Sequence, residues 1–207
     1  LDQMRTVTPA QAVAHPNWSM GQRISIDSAS MFNKALEIIE ASVLFSMPQE
    51  SIDVVIHPQS IVHSLVEFCD GAQIAHMGAP DMRGAIGFAL DWPHRQPLPV
   101  KRLDLASIGR LDFAAPDPLR FPALRLAHEV LQLGGGTGAA FNAAKEAALD
   151  RFLAREIGFL DMARLVESVL ENTYVQSLCR QTPLELRDVE QIDDAARSAA
   201  ARWKSTL

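Results

Sequence analysis

Ile61-Val62-His63-Ser64-Leu65-Val66-Glu67-Phe68-Cys69, then Asp70-Gly71, then Ala72-Gln73-Ile74-Ala75-His76-Met77: two strand-forming runs about an Asp-Gly pair set this chain apart from a plain helix bundle. Asp-Gly tolerates the positive φ angles of a tight hairpin, so the stretch predicts antiparallel strands joined by a two-residue type I′ turn. Just upstream, Ile52-Asp53-Val54-Val55-Ile56 within Ser51–His57 is β-branched and predicts a buried strand. Upstream again lies the best-defined helix, from about Ser28 to Phe45, with Asp27 or Ser28 as its cap. At 100° per residue Met31, Phe32, Ala35, Leu36, Ile38, Ile39 and Val43 fall on one arc, the face on which the strands pack. Asn33, Lys34 and Glu37 share the opposite arc.

Further outward, Asp81–Asp91 predicts a helix stopped by Trp92-Pro93. Prolines then recur at 93, 97, 99, 116, 118 and 122, and only Leu111–Ala114 resembles a strand. This is the composition of a linker or wrapping arm. Everything beyond it predicts helix. Ala123–Leu133 ends at Gly134, Ala139–Glu156 is alanine-rich, Asp161–Glu171 and Asp188–Trp203 open on aspartate caps, and Thr182-Pro183-Leu184-Glu185 is a capping box. Near the start, Thr8-Pro9-Ala10-Gln11 is another capping box with proline at N1, opening a short helix before Pro16. The expected fold is α+β: a catalytic and connective region over 1–92 with an antiparallel or mixed sheet, a proline-rich arm over 93–117, and a four-helix domain over 118–207.

The 207 residues carry a net charge of −6 with no block of Lys and Arg, which argues against a general nucleic-acid surface. A small anionic ligand needs only one or two local cations and stays open. No apolar run approaches the roughly 20 residues that span a bilayer. Cys69 and Cys179, far apart, suit a reducing compartment and a bacterial-type cytoplasmic protein, with an organellar parent also compatible. The chain opens at Leu1 in ordinary folded sequence and reads as a piece of something longer.

The chemistry concentrates in His15–Glu37. Ser28 is expected at a helix N-terminus, where free N–H groups and the dipole favour an anion. Asn33 and Lys34 add an amide and a cation, and Glu37 offers a carboxylate to a hard divalent ion one turn on. Such a series suits a phosphorylated substrate with chelating oxygens at its far end. On composition alone it reads first as a solvated helix face, with Lys34 and Glu37 a surface pair worth about a few tenths of a kcal/mol. The preceding loop holds His15, Trp18, Met20 and Gly21, which either close over a ligand or plug into the local core. Gly134-Gly135-Gly136-Thr137-Gly138 follows no strand and reads as a capped interhelical loop, not a dinucleotide fingerprint. His57, His63 and His76 read as structural histidines, with His63 alone retained as a group standing behind the site.

Taken together, His15-Pro16-Asn17-Trp18-Ser19-Met20-Gly21, Ile24-Ser25-Ile26-Asp27-Ser28-Ala29, Asn33-Lys34-Ala35-Leu36-Glu37, Ile56-His57-Pro58-Gln59-Ser60, His63-Ser64, Ala79-Pro80-Asp81-Met82-Arg83, Phe113-Ala114-Ala115-Pro116-Asp117 and Phe141-Asn142-Ala143-Ala144-Lys145-Glu146 resemble the 1-deoxy-D-xylulose 5-phosphate reductoisomerase family, in order and over nearly the whole chain. The resemblance implies the C-terminal part of such an enzyme, its Rossmann-like NADPH domain lying upstream. It implies isomerisation and NADPH-dependent reduction of 1-deoxy-D-xylulose 5-phosphate to 2-C-methyl-D-erythritol 4-phosphate, in the non-mevalonate isoprenoid pathway. Glu37 would bind Mg²⁺, Mn²⁺ or Co²⁺ and touch substrate. Ser28, Asn33 and Lys34 would hold the phosphate, and His15 would contact the substrate. Trp18 and Met20 would belong to a closing flap, and Gly21 would approach NADPH through its backbone. A homodimer is implied, with the hairpin strands contributing, and neither nucleic acid nor membrane is expected as a partner. The remaining metal carboxylates and a further phosphate-binding serine would lie upstream of Leu1, so the piece alone is expected to be inactive. Two other readings stay open: a non-catalytic dimerisation or helical interaction module, and a metal-dependent hydrolase using His15, Asp27 and Glu37.

Overall fold

A computed structural model of the chain describes residues 1–13, 21–181 and 185–205. It is α+β: mostly helical, with one two-stranded antiparallel sheet and a C-terminal helix bundle. The described residues group into two compact units, one of residues 1–13, 21–54 and 117–205, the other of residues 55–116. The units therefore cut across the chain-order segments 1–92, 93–117 and 118–207, because the first long helices pack with the C-terminal ones.

The first unit begins with α1 (Asp2–Arg5) and α2 (Pro9–Ala12). Thr8 and Gln11 form the expected capping box, with Pro9 at the first helical position. Next come α3 (Gln22–Ala29) and α4 (Phe32–Phe45), which replace the single helix expected over 28–45. The break has a local cause. The Ser30 hydroxyl folds back onto the carbonyls of Ile26 and Asp27, and Met31 takes a left-handed φ of 64°. The strain of that conformation is offset by burying two faces on different axes: Ser25, Ile26 and Asp27 from α3, Phe32, Ala35 and Ile38 from α4. Val43, expected on the buried arc, is 69% exposed.

The bundle is built on α7 (Pro122–Leu133), α8 (Thr137–Leu153), α9 (Asp161–Leu170), α10 (Thr173–Cys179) and α11 (Leu186–Arg202). Ala140, Ala144 and Ala148 are fully buried on α8, whose small side chains let neighbouring helices approach closely. Phe141, Leu149 and Phe152 are the large buried side chains of the same helix, Phe141 lying against Phe32 with ring centroids 5.8 Å apart. Helix α10 is additional to the four expected. It is only seven residues long, too short for a clear period, although Asn172 caps it through the Tyr174 and Val175 N–H groups. Helix α11 starts from Glu185, whose capping box closes on Asp188, so Asp188 is not itself the cap; Thr182-Pro183-Leu184 lies outside the described residues. After Pro122 no strand occurs among the described residues.

Residues 134–136 are an interhelical joint, as expected. Gly136 donates to the Cys179 carbonyl at 2.9 Å, and Gly135 has φ +55°. A Cβ on Gly135 would lie 2.1 Å from that carbonyl oxygen, so the backbones meet only because the residue is glycine. Gly135→Ala is expected to lose about 1–3 kcal/mol, several degrees in Tm, whereas Gly138→Ala, facing open space, is expected to be neutral or mildly stabilising. Equal melting temperatures for the two variants would refute the close-approach argument.

In the second unit β1 (Val62–Glu67) pairs with β2 (Gln73–Met77), Leu65 opposite Ala75 and Val66 opposite Ile74. The turn differs from expectation. Gly71 donates to the Phe68 carbonyl and Phe68 to that of Ala72, and only Gly71, at φ 82°, is left-handed. The loop is therefore three residues, Cys69-Asp70-Gly71, with glycine at the bulge position, and Asp70 accepts from the Ala72 N–H. Ile52–Ile56 is not a strand. One bridge, Ile56 with Ala114, joins it to the equally strand-like Leu111–Ala114, and a single pair makes no ladder. Gln59 and His57 reinforce that contact through Asp112, and His57 stacks on Phe113 at 4.6 Å. Helix α5 (Met82–Asp91) is capped by Asp81, and Leu98 packs on Gly87, which holds residues of the proline-rich stretch against α5. The short α6 (Leu105–Ile108) is capped by Asp104.

Candidate functional site

Asn33 and Lys34 occupy the first turn of α4, and Glu37 follows one turn later on the same face. The Asn33 amide donates to one Glu37 oxygen at 2.8 Å and the Lys34 ammonium to the other at 2.6 Å. All three side chains are only partly buried, Lys34 and Glu37 being 40% and 46% exposed, so the pair is screened and contributes little to stability. Weak mutual hold leaves each group free to exchange its neighbour for a ligand. The N-cap residue, Met31, supplies no side-chain acceptor, so among the described residues no side chain caps the first-turn N–H groups, which can receive an anion.

Ser28 stands differently from its expectation. It lies in the last turn of α3, and its hydroxyl donates to the Ile24 carbonyl at 2.8 Å. The N-terminus that can receive an anion belongs instead to α4, and Ser28 reaches it through its backbone carbonyl, which accepts from the Met31 N–H. Ser28 bonds to none of Asn33, Lys34 and Glu37. Gly21 is the N-cap of α3 and makes no side-chain cap bond; among the described residues nothing lies within 4 Å of where a Cβ would stand. His15, Trp18 and Met20 lie outside the described residues. His63 lies on β1 in the other unit, beside His76; burial and then that neighbour lower its basicity.

The sequence reading missed a second group of charges. Arg23 and Asp27, four apart on α3, face Lys145, Glu146 and Asp150 on α8. Lys145 donates to Asp27 at 2.9 Å, with side chains 4% and 9% exposed, and also to Glu146. Arg23 bridges Glu146 and Asp150. Burial pushes the Asp27 carboxyl up, against the pull of Lys145. Burial acts the same way on Glu146, but Lys145 and Arg23 outweigh it and hold that carboxyl below its ordinary range. No spacing rule links positions 27 and 145, so periodicity could not find this pair. Its existence also withdraws Asp27 from the hydrolase reading, because the carboxylate is buried against an ammonium.

Among the described residues no three His, Cys, Asp or Glu side chains converge to hold a metal ion. Glu37 fits one vertex of a hard-cation site and not a whole one. No helix among the described residues is long and apolar enough to cross a membrane.

Comparison with known proteins places these features in a family context. Residues 77–199 match the family model described as DXP reductoisomerase C-terminal domain, and residues 1–45 match that of the 1-deoxy-D-xylulose 5-phosphate reductoisomerase C-terminal domain. The chain is 60% identical over 200 residues to the 1-deoxy-D-xylulose 5-phosphate reductoisomerase of Cereibacter sphaeroides (strain ATCC 17025 / ATH 2.4.3), covering 97% of this chain and 51% of that protein. It is 58% identical over 199 residues to the enzyme of Ruegeria sp. (strain TM1040), covering 96% and 50%. Among solved structures, the reductoisomerase from Zymomonas mobilis in complex with NADPH superposes with a TM-score of 0.88 at 47% identity, over 100% of this chain and 52% of that one. A DOX-P reductoisomerase in complex with NADPH, fosmidomycin and magnesium gives 0.93 at 44% identity, over 97% and 50%. The chain thus spans about half the length of the relatives it matches.

Proposed function

We propose, for a chain that belongs to the 1-deoxy-D-xylulose 5-phosphate reductoisomerase family, that it supplies the phosphate-binding and part of the metal-binding face of an NADPH-dependent reductoisomerase, converting 1-deoxy-D-xylulose 5-phosphate to 2-C-methyl-D-erythritol 4-phosphate. The observation that carries this reading is the Asn33–Lys34–Glu37 cluster at the uncapped start of α4. A phosphate met there finds an ammonium, an amide and open N–H groups, and Lys34 moves from Glu37 to the phosphate as the substrate enters. That step frees one Glu37 oxygen, and the turn of the Asn33 amide to the same phosphate frees the other, so that the carboxylate would serve as one ligand of Mg²⁺, Mn²⁺ or Co²⁺; such a cation, when bound, polarises the substrate carbonyl. Remote phosphate binding holds the sugar in place while its reacting end is turned over. Ser28 contributes a hydroxyl to the phosphate, exchanging its bond to Ile24. Gly21 lets the nicotinamide nucleotide approach the uncapped start of α3 by its backbone. His15, Trp18 and Met20 are assigned to the substrate contact and the closing flap that excludes water. The catalytic and connective role of residues 1–92, the arm over 93–117 and the helical domain over 118–207 belong to the same proposal, as do a homodimer and a cytoplasmic location.

The test is turnover by the full-length parent. NADPH oxidation dependent on both 1-deoxy-D-xylulose 5-phosphate and a divalent cation is expected, with no turnover by residues 1–207 alone. Substrate-independent oxidation, or none, would overturn the assignment.

A further inference from the structure

We infer that Lys145, on a helix of the bundle, is a positioning residue for the phosphate end of the site: through Asp27 it fixes the last turn of α3, and so sets Ser28 against the start of α4. The inference rests on the reading proposed above for Ser28, Asn33 and Lys34.

Three observations converge on it. Asp27 is adjacent to Ser28 in the same final turn, and its carboxylate is seated on Lys145 at 2.9 Å with both side chains almost fully buried. That turn then ends abruptly. Ser30 ties back to Ile26 and Asp27, Met31 donates to the Ser28 carbonyl and takes the left-handed conformation, and α4 departs with Asn33 and Lys34 in its first turn. Finally, Arg23, one turn before Asp27 on the same face of α3, clamps it to Glu146 and Asp150, themselves one turn apart, which leaves α3 little freedom to slide along α8.

A buried ion pair contributes little net stability compared with an apolar contact of the same volume, but it is directional. An apolar α3–α8 contact would tolerate rotation of α3 about its axis. A Lys145–Asp27 bond does not, and a small rotation of α3 shifts the Ser28 backbone, whose carbonyl meets the Met31 N–H at the start of α4, and carries the hydroxyl out of the place from which it would turn to the phosphate. Binding of a phosphate at a preformed site falls when the site has to be assembled on binding, so the effect appears in affinity.

The experiment uses the full-length parent with Lys145→Met, Lys145→Arg, and the paired Asp27→Leu/Lys145→Met, in which no charge is left buried alone. Each is also combined with Ser28→Ala. Expected for both Met-containing variants is a rise of about five- to tenfold in substrate KM and in the inhibition constant of inorganic phosphate, with kcat and NADPH KM within about twofold of wild type. Lys145→Arg recovers most of the affinity. Adding Ser28→Ala to either Met-containing variant costs less than it does in the wild type, because the hydroxyl is already misplaced. Should Lys145→Met fail to fold, the paired variant carries the same comparison. Full additivity with Ser28→Ala, or an unchanged phosphate constant in a folded variant, would overturn the positioning role. Failure of the parent reading shows separately, as absence of substrate-dependent turnover or phosphate inhibition in the wild type.

Discussion

Glu37→Gln in the full-length protein is expected to lower kcat by about a hundredfold or more while leaving the fold intact. The side chain is 46% exposed and its partners are on its own helix, so the substitution removes no core contact. Glutamine keeps the size and one acceptor oxygen but loses the charge that a hard cation requires. In the ligand-free site one of the two bonds is also lost, since an amide oxygen can serve Asn33 or Lys34 while its NH₂ group opposes the other donor. Raising the divalent cation in steady-state assays should recover part of the loss, because weaker ligation is compensated by mass action. Near-wild-type kcat at ordinary cation concentration would return Asn33, Lys34 and Glu37 to the status of a solvated helix face.

Lys34→Ala is expected to act on the other side of the same cluster. Its ammonium is proposed to contact the phosphate in both ground and transition states, so the substitution should raise KM about ten- to hundredfold, the range of a charge-assisted hydrogen bond. Any fall in kcat reports poorer orientation of the sugar. Excess divalent cation should restore nothing, which separates this variant from Glu37→Gln within a single titration. Losing the screened Lys34–Glu37 pair should leave the melting temperature nearly unchanged. A KM for Lys34→Ala within twofold of wild type would remove the phosphate role from this residue and leave the α4 N-terminus without its cation.

Much of the site was legible because its chemistry is local. Asn33, Lys34 and Glu37 sit three and four residues apart on one helix, and helical periodicity alone brings them together; the hydrogen bonds observed are those that spacing predicts. The capping box of α2 and the glycine that ends α7 were readable for the same reason, since each involves residues within a turn of one another. The helix break at Ser30-Met31 was not. Nothing in the apolar period interrupts there, and only the competing burial of Ile26 against one neighbour and Phe32 against another makes a left-handed residue tolerable. That break moved Ser28 from the start of one helix to the end of another.

The sequence by itself determined the α+β class, the hairpin, the bundle and the polar face of α4, all consequences of periodicity, capping and turn chemistry within short windows. Tertiary structure alone decided how distant segments meet. Ile52–Ile56 has strand propensity, but a strand exists only when a neighbour supplies a ladder of partners, and Ala114 supplies one pair. Residues 1–13 and 21–54 join the C-terminal helices because an alanine-rich α8 admits Phe32 beside Phe141, and because Asp27 finds Lys145 118 residues away. A charge that far along the chain leaves no trace in local pattern; the low dielectric of a shared interior is what selects its partner.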